Sequence, residues 1–367
     1  VHSDGQYRLD ARRGNEEGNV ALLSVEHLTK HIRIGRRPGA ALRGADASWI
    51  KPVEDVSFSI DAGEIVGIVG ESGCGKSTTC NLLSKLDVPT SGTIRLNGED
   101  VTAAHGGKAL IDYRKQVQLI FQDPFDSLNP RLRVFDLVAE APRALKLWDA
   151  SETARRVMHM LELVGLPPER YAQRFPHQMS GGERQRVGIA SALVAEPRLV
   201  IADEPVSMLD VSIRAGVMDL LRDLSRRLGF SCLYVSHDLS ILTHLCDRVM
   251  VMYLGQLVEV ASSAELVGAP RHPYTRALVA AVPVPDPRYK REAVGIKGEL
   301  AKPIDPPPGC RFAPRCPLAM PQCVRTPEMK RVGSEHTVAC HAVEALASCG
   351  NETSTARSTV SLITSRQ

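Results

Sequence analysis

Eight consecutive residues, Gly70-Glu71-Ser72-Gly73-Cys74-Gly75-Lys76-Ser77, fit the pattern G-x-x-x-x-G-K-[ST]. The spelling has a physical reason. Glycines let the backbone turn so that successive N–H groups converge on phosphate oxygens. A helix beginning near Lys76 points its positive N-terminus at the same place. Lys76 then reaches the β- and γ-phosphates of a nucleotide, and Ser77, followed by Thr78, supplies a hydroxyl to Mg²⁺. The bland alternative is a Gly-rich turn with an incidental lysine. The apolar run Ile65-Val66-Gly67-Ile68-Val69 before the loop and the helical stretch 77–86 after it weigh against that.

A second set of groups suits hydrolysis. Leu199-Val200-Ile201-Ala202-Asp203-Glu204-Pro205 reads as an apolar strand ending in two carboxylates. In a parallel sheet the strand C-termini face the ligand crevice. Asp203 suits the Mg²⁺ shell, and Glu204 is the candidate for polarising an attacking water. Adjacent strand residues point to opposite faces, so the two need not share one task. Ser236-His237-Asp238 closes another apolar strand. His237 there could sense a γ-phosphate and steady Glu204 or the water; its structural alternative is a ring satisfied by a backbone carbonyl.

Of nine cysteines, Cys74, Cys80, Cys232, Cys246 and Cys349 are scattered, and Cys310, Cys316, Cys323 and Cys340 are bunched. In a reducing compartment such a bunch reads as metal or cluster ligands before disulfides. The paired C-x2-C knuckles of a zinc ribbon are absent. Iron–sulfur ligation, zinc, and free or paired thiols all stay open on spacing alone.

These groups need elements to position them. The segments 22–27, 53–60, 65–69, 199–202 and 232–235 read as strands; 249–260 reads as a strand pair broken at Gly255. Between about 130 and 175 the apolar period is helical: Val134, Leu137 and Val138 share one face, as do Val157, Leu161 and Val164. Strands alternating with helices argue for α/β architecture with a largely parallel core sheet. Residues 33–50 read as a loop, and 283–308 as a Pro-rich linker to a small Cys-bearing knot. Polar composition predicts disorder over 1–20 and 346–367. With 45 basic and 42 acidic residues the net charge is +3, too small to argue for nucleic acid. No apolar run approaches the roughly 18 residues of a membrane span, and the N-terminal residues carry no apolar signal core, so a cytosolic location is the default expectation.

Met179-Ser180-Gly181-Gly182-Glu183 follows the phosphate loop and precedes the carboxylate strand. Ser with Glu three residues on is a capping box, and a Ser-Gly-Gly turn at a helix start also binds anions. With these motifs in order, the chain resembles the ATP-binding subunits of ABC transporters. The resemblance implies a P-loop NTPase fold of ABC type: α/β, with a RecA-like core, an antiparallel β subdomain and an α-helical subdomain. It implies Gln122 as the Q-loop glutamine that organises Mg²⁺ and water, and Asp210 as the D-loop aspartate among the nucleotide-binding residues. Ser180, Gly181 and Gly182 would meet ATP held by a second subunit. Two departures stand out. Glu183 replaces the usual glutamine, and Ile32 lies where an adenine-stacking aromatic is expected, leaving His31 or Trp49 for that task.

The C-terminal run Arg271-His272-Pro273-Tyr274-Thr275-Arg276-Ala277-Leu278, then Gly298-Glu299-Leu300 and Pro306-Pro307-Pro308-Gly309-Cys310, is similar to the ATPases of oligopeptide/dipeptide importers. This implies an ATPase domain over 21–265, with a helical subdomain at about 125–190 and a Cys-bearing extension over 266–345. It also implies a [4Fe–4S] cluster on Cys310, Cys316, Cys323 and Cys340. The expected partners are a second ATPase subunit, two membrane permeases and, indirectly, an extracytoplasmic binding protein. The chain would then work at the cytoplasmic face of the membrane. The alternatives are an ABC-type ATPase not linked to transport, and an importer of another cargo such as metal chelates or sugar derivatives.

Overall fold

The structure is a computed structural model that describes residues 21–34, 48–123, 127–282, 296, 298, 303–306 and 308–343. The segments 1–20 and 346–367, expected to be disordered, lie outside the described residues, as do most of the loop at 33–50 and of the Pro-rich stretch 283–308. The chain divides into two compact units, one of Val1–Val25, Phe58–Ile65 and Thr93–Leu233, the other of Glu26–Ser57, Val66–Gly92 and Tyr234–Gln367.

The first unit is mainly helical. The helix Val134–Leu145 buries Val134, Leu137, Val138 and Ala139, the face expected from their spacing. It stops at Lys146, whose backbone is left-handed (φ 52°). The helix Ala150–Leu163 buries Thr153, Val157, Met160 and Leu161, positions one helical stripe apart. Its N-terminus is capped by Asp149, whose side chain accepts from Glu152 N at 2.8 Å. The strand Leu199–Asp203, buried except at its last residue, pairs parallel with Val117–Ile120 from Val117↔Leu199 to Ile120↔Ala202.

In the second unit the strand Ile65–Val69 is buried at all five positions. Its continuous apolar spelling is that of a strand covered on both faces. It pairs parallel with Arg248–Tyr253, which pairs antiparallel with Gln256–Ser262. The turn between those two puts Leu254 at φ 43° and Gly255 at φ 87°. Positive φ at both central residues is the hairpin turn whose twist suits its strands, which explains the break at Gly255. Thr337–Val338 then adds to the edge of Gln256–Ser262, and Lys330–Arg331 to Thr337–Val338. Two-residue strands carry no period, so neither is legible in the sequence.

The second long strand begins at Trp49, where a loop to residue 50 was expected. It lies beside the strand Leu23–Arg33 in a four-stranded sheet, and its first residues also meet a segment some 250 residues further on. Ile50 bridges Ile304, Lys51 N donates to Pro303 O (2.9 Å) and Asp305 N donates to Trp49 O (2.9 Å). The phosphate-loop helix spans Lys76–Leu83, ending before the expected residue 86, where Ser84 Oγ donates to Cys80 O (2.7 Å) and Lys85 turns left-handed. Among the described residues no helix is long and apolar enough to cross a membrane.

Candidate nucleotide site

The phosphate loop belongs to the second unit. Gly70 leaves strand Ile65–Val69, and a Cβ there would lie 2.3 Å from Met252 O. Gly75 stands at φ 113°, and a Cβ would fall 1.9 Å from Pro52 O. Only glycine tolerates either position, so the spacing of the motif is a packing requirement as well as a phosphate requirement. Gly73 is also left-handed (φ 80°), and Cys74 is fully buried, its thiol pushed up chiefly by that burial. Lys76 is buried; its Nζ donates to Gly70 O at 2.7 Å and to Glu71 O at 3.3 Å. Thr79 N bonds Gly75 O at 2.9 Å, which starts the helix that carries Ser77 and Thr78 in its first turn.

Sequence reasoning missed two residues that fasten this loop. Tyr274, fully buried, accepts from Glu71 N at 3.0 Å. Arg315 donates to both carboxylate oxygens of Glu71, at 2.8 and 3.2 Å. In the sequence Tyr274 stands out only as part of a family-marking run, and no local pattern links position 315 to position 71.

In the same unit His237 follows the buried strand Ser231–Ser236 and is exposed. Asp238 caps the next helix, Leu239–Leu245, accepting from Ser240 N at 2.9 Å. Where an aromatic was expected for adenine, Ile32 is exposed, while Trp49 is exposed and set edge-on to His31, with ring centroids 6.4 Å apart.

The first unit holds the carboxylates. Asp203 is the last residue of its strand. Glu204 turns left-handed at φ 45°, a costly conformation for a residue with a side chain. Its carbonyl accepts from Ser207 N (3.1 Å) and Ser207 Oγ (3.0 Å), which hold the turn. Gln122 Nε2 stands 3.5 Å from Glu204 Oε2, so the fold brings these two candidates together. The polar donors Ser77, Asp203 and Gln122 are the hard oxygen groups that Mg²⁺ prefers, and in chemistry they fit that ion.

Ser180 caps the helix Gly181–Leu193 in a full capping box: Glu183 N donates to Ser180 Oγ (3.3 Å), and Glu183 Oε2 accepts from Ser180 N (2.8 Å). Tyr171 donates to Glu183 Oε1 at 2.6 Å and holds this carboxyl below the usual range. The residue that departs from the expected glutamine is thus engaged as a cap. Gly182 is needed for space, since a Cβ would lie 2.7 Å from Ile213 Cγ2. Asp210 is the N-cap residue of the helix Val211–Leu228 and makes no side-chain cap bond there.

The four bunched cysteines gather in one knot. Cys310 N donates to Cys323 O at 2.9 Å. Burial raises the thiols of Cys310, Cys316 and Cys340, the last to about 11, and charge on neighbouring thiols of the set raises each further. Yet among the described residues no three His, Cys, Asp or Glu side chains stand in an arrangement that would grip an ion. The donor type, four thiols, is that of an iron–sulfur site.

Comparison with known proteins agrees with the motifs. Residues 53–207 match the ABC transporter family model, and residues 258–323 match the model of the oligopeptide/dipeptide transporter C-terminal region. The chain is 44% identical over 329 residues to a "Probable peptide ABC transporter ATP-binding protein" of Sinorhizobium fredii, covering 88% of this chain and 90% of that one. It is 47% identical over 295 residues to the oligopeptide transport ATP-binding protein AppF of Bacillus subtilis, covering 80% and 89%. Among solved structures, the dimeric post-hydrolysis state of the ATP-binding cassette MJ0796 bound to ADP and Pi aligns with a TM-score of 0.57 at 27% identity, covering 66% of this chain and 98% of that one. With its phosphate loop, carboxylate strand and capped signature helix in place, the chain belongs to the ATP-binding subunits of ABC transporters, in their oligopeptide/dipeptide branch, and is an ATPase of the ABC fold.

Proposed function

We propose that this chain energises the import of peptides, pairing with a copy or paralogue of itself and docking on the cytoplasmic face of two membrane permeases that receive cargo from an extracytoplasmic binding protein. The observation that carries the cargo class is the match of residues 258–323 to the oligopeptide/dipeptide C-terminal region, alongside two relatives named for peptide transport. The domains follow the motifs: a cassette over 21–265, a helical subdomain at about 125–190 and an extension over 266–345.

The residues take the following roles. Lys76 and the amides of residues 70–78, apart from the Glu71 amide that Tyr274 engages, hold the phosphates. Ser77, Asp203 and Gln122 would hold Mg²⁺, which neutralises phosphate charge when bound. Glu204 acts as general base toward water, Gln122 positions that water, and His237 senses the γ-phosphate. Ser180, Gly181 and Gly182 meet the nucleotide of the partner subunit, with Asp210 beside them. A dimeric cassette bound to ADP and Pi, 27% identical to this chain, supports that pairing.

The four cysteines are our candidates for a [4Fe–4S] cluster, a reading supported by their thiol-only chemistry. Anaerobically purified protein is expected to be brown with iron and acid-labile sulfide; colourless protein with stoichiometric zinc would end that assignment. For the transport reading, affinity purification from membranes should bring down two permeases and a second ATPase. The reconstituted complex should hydrolyse ATP faster when peptide and binding protein are added. Stimulation by a metal chelate or sugar derivative and not by peptides would replace the cargo class.

A further inference from the structure

The phosphate loop carries an internal contradiction. It is built to bind anions, yet its second residue, Glu71, is an acid. A carboxylate left loose at that position competes with the nucleotide's phosphates for the same amides and the same lysine, and repels them through space.

The structure resolves the contradiction with groups from the C-terminal extension. Arg315 grips both Glu71 oxygens, at 2.8 and 3.2 Å, in the fork geometry that suits a carboxylate. Its side chain is only 11% exposed and that of Glu71 31%, so the pair is shielded from much of the solvent screening that weakens surface pairs. The guanidinium also lies 5.8 Å from the Tyr253 ring centroid and reaches Tyr253 Oη at 3.4 Å. Tyr274 takes the Glu71 main-chain N–H, so both the backbone and the side chain of this loop residue are fixed from outside the loop.

The holders are themselves fixed. Tyr253, Tyr274 and Phe312 form a buried aromatic cluster with centroids 4.8 to 5.5 Å apart. Arg315 sits at the end of the short turn Ala313–Arg315, directly before Cys316 of the cysteine knot. Arg311, in the same knot, donates to Leu254 O. The next residue, Gly255, donates to Cys74 O of the phosphate loop at 2.7 Å.

We infer that Arg315 is a positioning residue for nucleotide binding: by holding the Glu71 carboxylate against the cysteine knot, it keeps that charge off the triphosphate. The extension is then a working part of the ATP site and more than a family appendage. This rests on the ATPase reading above.

The test uses the full-length chain and MgATP, with dissociation constants measured well below the melting temperature of each variant. Arg315→Ala should weaken MgATP binding on the order of tenfold, the size expected when one partner of a shielded charge pair is removed. Glu71→Gln in the Arg315→Ala background should restore most of that loss, because the charge that Arg315 restrains is gone. Arg315→Lys, which keeps the charge and loses the fork, should fall between wild type and Arg315→Ala. Wild-type affinity in Arg315→Ala would overturn the inference. So would a double variant as weak as Arg315→Ala, which would make Arg315 a purely structural anchor. A wild-type chain that bound no MgATP would instead overturn the ATPase reading, so the two failures are distinguishable.

Discussion

Glu204 combines a strained backbone with a carboxylate at the end of a buried strand. Its φ of 45° is held by two bonds from Ser207, and Gln122 stands beside its side chain. Strain kept in place by neighbouring bonds is typical of residues aimed at a reaction. We expect Glu204→Gln to bind MgATP normally and to lose about 10²- to 10⁴-fold in turnover, the range for a lost general base. Phosphate release at saturating ATP measures it; near-normal turnover would remove Glu204 from the role. Glu183 shows the opposite case. It departs from the family spelling in the signature motif, but its carboxylate is engaged by Ser180 and Tyr171. Its depressed pKa means that this contribution to stability exists above the usual carboxyl range and is lost as pH falls through the folded value.

At the scale of elements, the phosphate loop is pinned by contacts that the motif does not mention. Gly75→Ala would put a methyl 1.9 Å from Pro52 O at a φ of 113°, so both sterics and backbone oppose it. We expect MgATP affinity to fall more than tenfold while the rest of the fold survives, measured by nucleotide titration alongside circular dichroism. The helix Pro273–Ala281 offers a pH test. His272 caps it, its Nδ1 accepting from Tyr274 N at 3.1 Å. Burial lowers this ring to about 4, against an opposing pull from Glu259, which also bonds the His336 ring at 2.7 Å. A base whose folded pKa is depressed loses stability as pH falls, here from about 6.5 toward 4, by up to about 3 kcal/mol. His272→Asn keeps a capping acceptor and removes the titration. It should be less stable at neutral pH, because the ring's packing on Phe312 is lost, yet show a shallower decline across that window in denaturant melts. An unchanged slope would show that another group governs it.

At the scale of the molecule, the signature helix and the phosphate loop are each half of a nucleotide site in the proposed pairing. Glu204→Gln should therefore trap a dimer when MgATP is present and remain monomeric without it, read by sedimentation velocity. A monomer at saturating MgATP would mean that a permease or a paralogous subunit is required to bring the halves together. The extension enters at this scale too. Glu259, fully buried in strand Gln256–Ser262, accepts from the main-chain N–H of Arg271 and His272 and pairs with His336. Residues from two separate stretches of the C-terminal region, 271–272 and 336, thus converge on one buried acid.

Much of this protein is legible in its sequence alone. Strand Ile65–Val69, the helix faces at 134–138 and 157–161, the hairpin at Gly255 and the phosphate loop follow from local spelling, because periodicity, turn chemistry and ordered motifs are short-range signals. The tertiary structure alone decided what those signals cannot carry. It paired Trp49–Lys51 with residues 303–305, added two-residue strands at the sheet edge, set Gln122 beside Glu204, and placed Arg315 and Tyr274 on Glu71. In most of these the energy lies in contacts between residues tens to hundreds of positions apart, and no pattern within a short window records which distant group will complete a charge or a strand.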